Sequence, residues 1–145
     1  RSKEAFAAQE AARTGHTVIS TIHSKSAVGA YLRMTTLAKR AHEFADETLI
    51  KLMVEAFPII AYQRQLEDNS RKITEIIEGE RYENGEIVYR TLFRYVVDNN
   101  YEQDGENIVE GHFERVSPIS ENLAQELLQN GANLHDVSRL TQPVI

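Results

Sequence analysis

The sequence predicts an α+β chain: helices first, then an antiparallel meander, then one more helix. Three observations carry that expectation. Before Pro58, apolar residues recur at helical spacing, as in Leu49, Leu52, Met53 and Ala56. After Pro58 the period drops to two, with Ile87, Tyr89, Phe93, Tyr95 and Val97 alternating against Arg90, Leu92 and Arg94. Between two such runs stands Asn84-Gly85, a pair suited to a type I′ turn, whose two central positions both need positive φ.

Residues 3–13 read as the first helix, with Ser2 as a candidate N-cap and Gly15 as its stop. Residues 17–23 read as a strand. Val18, Ile19 and Ile22 make it apolar, so it is expected to be buried on both faces. A second helix is expected over 26–42, from Val28, Tyr31, Leu32, Thr35 and Ala38 or Lys39. A third is capped by Asp46 and ended by Pro58. Ile59-Ile60-Ala61-Tyr62 opens a strand, Asp68-Asn69 makes a turn, and residues 71–82 return. Past Asn84-Gly85, residues 86–97 form the next strand, 98–107 a polar loop and 108–115 a short strand. Residues 119–130 form the last helix, with Leu123, Leu127 and Leu128 inward and Gly131 as its stop. From Gln142 the chain is expected to be loose. Two parts follow, 1–57 and 58–145.

The 145 residues suffice for a real core, and 41% apolar with 26% charged residues is ordinary for a globular chain. There is no cysteine, so no disulfide framework and no thiolate chemistry. The apolar runs are too short to span a bilayer, so direct membrane insertion is not expected. The net charge of −6 is uneven: residues 1–64 hold nine Lys/Arg against six Asp/Glu, residues 65–145 seven against sixteen. An acidic second half argues against nucleic acid as a partner.

Gly15-His16-Thr17-Val18-Ile19-Ser20-Thr21-Ile22-His23-Ser24 carries the chemistry. Ligands of open α/β sheets sit beyond the carboxyl ends of the strands. Thr21, His23 and Ser24 lie at that end, before a helix whose first N–H groups would favour an anion. His23 can donate to a phosphate or be a plain strand-end histidine; Ser24 can meet a phosphate or cap the helix. Seven strand residues separate His16 from His23 by roughly 20 Å, so the two cannot share one ligand. His16 is assigned to the preceding turn or to an interface. H-x₆-H is not a zinc spacing, and no metal site is expected. His42, His112 and His135 are dispersed and receive no role.

The segments Arg1-Ser2-Lys3-Glu4-Ala5, Ala12-Arg13-Thr14-Gly15-His16 and Ser20-Thr21-Ile22-His23-Ser24-Lys25-Ser26-Ala27 closely resemble the histidine box of the secretion ATPases. These P-loop NTPases are the motors of type II secretion, type IV secretion and type IV or Flp (tight-adherence) pilus assembly. Tyr62-Gln63-Arg64-Gln65 through Glu75-Ile76, Leu92-Phe93-Arg94-Tyr95, Gly111-His112-Phe113 and Ser117-Pro118 resemble the family's later strands. Lys25 departs from the Asn or Thr usual in the family.

The resemblance implies an α+β fragment of a RecA-like α/β P-loop ATPase domain. Residues 1–57 would be the C-terminal part of its core, with the histidine-box strand, and 58–145 the meander and last helix. It implies ATP and Mg²⁺ as cofactors of a full-length homo-hexamer. It assigns His23 as the γ-phosphate sensor and catalytic residue, with Arg1, Thr21, His23 and Ser24 around the nucleotide. Neighbouring subunits and a membrane-embedded platform protein would be the partners, at the cytoplasmic inner face of the membrane. No Gly is followed by Lys, so no G-x-x-x-x-G-K-[ST] is present. The chain therefore reads as a piece beginning just after Walker B, without ATPase activity and with no nucleotide bound on its own. The alternative reading is a non-catalytic protein-interaction domain derived from such a motor.

Overall fold

The computed structural model describes residues 2–41 and 43–145; Arg1 and His42 lie outside the described residues. In chain order the elements are α1 (Ser2–Arg13), α2 (Gly29–Lys39), α3 (Asp46–Ala56), β1 (Ile59–Gln65), β2 (Arg71–Glu83), β3 (Glu86–Gln103), β4 (Glu106–Arg115), α4 (Glu121–Gln129) and α5 (Leu134–Thr141). The α+β expectation holds, and the four strands form a meander in the order β1-β2-β3-β4. The chain divides into two compact units, residues 1–60 with 78–90 and residues 61–77 with 91–145.

The first unit packs α1, α2 and α3 against one another. Helix α1 ends at Gly15, at φ +89°. The Gly15 N–H bonds Ala12 O at 3.2 Å and the His16 N–H bonds Ala11 O at 3.1 Å. That pair of bonds satisfies carbonyls the helix would leave orphaned. Helix α3 buries Leu49, Ile50, Met53 and Val54. The expected stripe included Leu52 and Ala56 instead; it is rotated because α3 faces both α1 and α2. Asp46 opens α3 but does not cap it. Its carboxylate meets Lys39 Nζ at 2.5 Å, and acidic charge here still favours the helix N-terminus.

Tyr31 is fully buried, and its hydroxyl donates to Phe57 O at 2.6 Å. Burial pushes its phenol well above the ordinary range. A Cβ on Gly79 would lie 2.3 Å from the Tyr31 Oη, so this strand position is open only to glycine.

Residues 16–24 form no strand, contrary to the expectation for 17–23. Ile19, expected in a core, is 92% exposed. Among the described residues no neighbouring strand pairs with this segment. An extended run without a ladder leaves its N–H and C=O groups to water and gains nothing from alternation.

In the second unit the β1–β2 turn closes with Asn69 at φ +63° and the Ser70 N–H on Asp68 Oδ1 at 2.9 Å. Those Ser70 hydrogen bonds hold the Asp68 carboxyl below its usual value. The β2–β3 turn, in the first unit, has both Asn84 and Gly85 at positive φ, as the dipeptide predicts.

The expected loop over 98–107 does not exist. Strand β3 runs on to Gln103, and a second tight turn, Asp104 at φ +53° and Gly105 at φ +81°, leads into β4. The polar composition concealed a hairpin that Asp-Gly itself signals. One bulge interrupts this ladder: Val97 faces Gly111 while Asn99 faces Glu110, leaving Asp98 extra.

Leu92, Ile119, Leu123, Ala124 and Val137 form the core here, with Ile76, Phe93, Leu127 and Leu140 packed on it. Leu128, expected inward, is exposed. Helix α4 is capped by Ser120, which accepts from the Leu123 N–H at 3.1 Å. Helix α5 was not expected. Asn133 caps it by accepting from the His135 N–H at 2.8 Å, and Val137 anchors it. The chain expected to be loose from Gln142 is held at that residue by Arg115 Nη2, which donates to Gln142 O at 2.7 Å.

Candidate functional site

A depression of the first unit adjoins the segment that the sequence singles out. His23, Ser24 and Lys25 form one wall; Gly29, Leu32, Arg33 and Thr36 of α2 form the other. Its volume is about 520 Å³. The α2 residues recur at three- and four-residue spacing, so they share one helix face. That spacing is readable in the sequence.

The local turn explains how the wall is built. Ser24 Oγ donates to Ser26 O at 2.8 Å, and the Gly29 N–H donates to Ser26 Oγ at 3.0 Å. Ser26, not Ser24, thus caps the start of the helical region. The amides of Ala30 and Tyr31 bond Ala27 O and Val28 O. The first amides of α2 are therefore committed, and the expected anion cradle of N–H groups is not formed here. Whatever anion preference the groove has comes from side chains. His23, Lys25 and Arg33 line it, and no carboxylate does. Such a donor set suits phosphate oxygens.

The predicted site residues separate accordingly. His23 and Ser24 share the groove, with the Ser24 proton committed to Ser26. Thr21 is exposed and does not line it. Arg1 lies outside the described residues. His16 sits in the turn that closes α1, its Nδ1 3.3 Å from Thr14 Oγ1, away from the groove lining. The Thr36 hydroxyl is turned back onto Leu32 O at 2.9 Å and presents its oxygen only as an acceptor.

The groove fits ATP in part. Its cations and imidazole match a phosphate, but a Mg²⁺ ion prefers carboxylate and water oxygens, which these side chains do not supply. Among the described residues no group of three His, Asp or Glu is placed to hold a metal ion. No helix among the described residues is long and apolar enough to cross a membrane.

Residues 1–100 match the family model described as type II/IV secretion system protein. No curated protein matches the chain.

Proposed function

This chain belongs to the type II/IV secretion system protein family, and we propose that it is the C-terminal portion of a motor ATPase of protein secretion or pilus assembly. The observation that carries the reading is the family match over residues 1–100, which takes in the whole histidine-box segment. The groove of His23, Lys25 and Arg33 supports it, because its chemistry suits a terminal phosphate.

In this reading residues 1–57 belong to a RecA-like core and 58–145 to the subdomain that follows it. A P-loop and an acidic motif elsewhere in the protein hold ATP and Mg²⁺, which supply the phosphoryl chemistry when bound. His23 donates to the γ-phosphate as negative charge develops there, while Thr21, Ser24 and Arg1 order its surroundings. Because Arg33 of α2 lines the facing wall of the same groove, a change at His23 is passed to the helix core. The whole protein works as a homo-hexamer against a membrane-embedded platform protein at the cytoplasmic face. The second reading, a non-catalytic interaction domain, draws on the exposed Ile73, Val97 and Phe113 of the meander.

Calorimetric titration of Mg-ATP into this chain tests the division of labour. Weak binding without hydrolysis is expected; micromolar or tighter affinity overturns it. In the full-length protein, His23→Ala should lower turnover by ~10²-fold while nucleotide binding is little changed. Wild-type turnover, or equal loss of binding and turnover, counts against His23 as the sensor. A full-length protein that neither binds nor hydrolyses ATP leaves the interaction domain.

A further inference from the structure

Two kinds of polar group line the groove beside His23. Lys25 and Arg33 bring charged donors, and among the described residues no carboxylate lines it with them. Ser24 and Thr36 bring the opposite. The Ser24 proton goes to Ser26 O at 2.8 Å, and the Thr36 proton to Leu32 O at 2.9 Å. Each hydroxyl oxygen is left with only lone pairs to offer. Gly29 keeps this wall open, since a Cβ there would lie 2.8 Å from Ser26 Oγ and 3.0 Å from Ser24 Oγ.

Donors and acceptors side by side select among anions. A phosphate ester, with a second pKa of about 6, is mostly a full dianion at neutral pH and has no proton to give. Sulfate has none either. Against both, the Ser24 and Thr36 oxygens set lone pair against lone pair, an unpaired and repulsive contact of the kind that rejects a wrong ligand. Orthophosphate keeps at least one P–O–H at the same pH. It accepts from Lys25 and Arg33 and donates to a hydroxyl oxygen.

We propose that this groove is a site for free orthophosphate, held by Lys25 and Arg33 and distinguished from phosphate esters and sulfate by Ser24 Oγ and Thr36 Oγ. The source of the ion rests on the ATPase reading: transfer of a γ-phosphoryl group to water releases orthophosphate beside His23. The groove retains that product after ADP has parted from it, so orthophosphate slows the next turnover. His23, Lys25 and Arg33 are exposed, so binding is weak and falls with salt.

NMR titration of orthophosphate, sulfate and phenyl phosphate into this chain at fixed ionic strength tests it, read on the His23 ring and the groove amides. Saturable shifts with orthophosphate are expected, and ~5-fold weaker binding of the other two, as loss of one hydrogen bond gives. Arg33→Gln and Lys25→Gln should each weaken orthophosphate ~5-fold or more. Ser24→Ala combined with Thr36→Val should bring orthophosphate down to the level of sulfate and leave sulfate little changed. Thr36→Val alone, at an exposed position of α2, should narrow the preference even if the double variant fails to fold. No saturable shift, equal affinity for the three anions, or unchanged binding in both charge variants overturns the proposal. The titration involves no ATP, so its failure and a failure of the ATPase reading are separate results.

Discussion

Residues 16–24 and strand β3 both carry strand-forming residues near a turn glycine, yet one is irregular and the other extends over 18 residues. The residue types do not separate them; Val18, Ile19 and Ile22 are as suited to a strand as Val88, Phe93 and Val96. What differs is the neighbour. Strand β3 has a partner on each side, each reached through a two-residue turn whose φ signs the sequence dictates. Residues 16–24 have none among the described residues, so the hydrogen bonds that reward extension are missing. A strand is a property of a pairing before it is a property of a segment.

The largest test of that contrast lies where the paired region is tightest. Gly79→Ala should destabilise the chain by about 1–3 kcal/mol, because the new Cβ collides with the fully buried Tyr31. Tyr31→Phe should rescue part of that cost, since it removes the nearest atom. Thermal melts of the two single variants and the double variant check this. Strictly additive effects would mean that the close approach is relieved some other way.

Next in size, Gly85→Val places a β-branched residue at positive φ and should cost about 1 kcal/mol or more. Gly105→Val should behave alike. Ile19→Ser, in the unpaired segment, should stay within about 0.5 kcal/mol. Denaturant midpoints of the three variants would break the comparison if Ile19→Ser proved as costly as either glycine change.

The smallest expected effect is titration at the bulge. The hydrogen bond that His112 Nδ1 donates to Asp98 Oδ2, 2.7 Å away, raises the His112 pKa above its ordinary value. A raised folded-state value means that the pair's stabilisation is complete below the unfolded pKa of about 6.5. It is lost as pH rises through the higher folded value. Both side chains are exposed, so the effect on overall stability is slight. An NMR titration should place the His112 midpoint above 6.5, and Asp98→Asn should lower it. A midpoint at or below that value rules the pairing out.

The parts of the fold legible in the sequence are those with local causes. Gly15 stops α1, Pro58 follows α3, Asn84-Gly85 reverses the sheet and Gly131 ends α4, each through its own backbone. Asp104-Gly105 was equally local and was hidden only by the charges around it. Asn133 with Val137 and Leu140 announced α5 in the same way, in a stretch too short to show periodicity. The site was legible by half. His23 and Ser24 share a groove, but Arg33 and Thr36 join them only because the chain folds α2 back beside residues 23–25. Capping went to Ser26 and not Ser24, a choice between two hydroxyls that spacing does not decide.

The bulge at Asp98 works like an extra letter in a reading frame. Strand β4 is unbroken, so Phe113 and Ile108, five residues apart, point to opposite faces of the sheet. Their partners Tyr95 and Tyr101 therefore also point to opposite faces, although six residues apart on β3, a spacing that would otherwise put them on the same one. Asp98 absorbs the difference in parity. Deleting its codon would leave every other β3–β4 pair and the facing of both strands unchanged. At this one point the sheet tolerates a change in the length of its gene without being turned inside out.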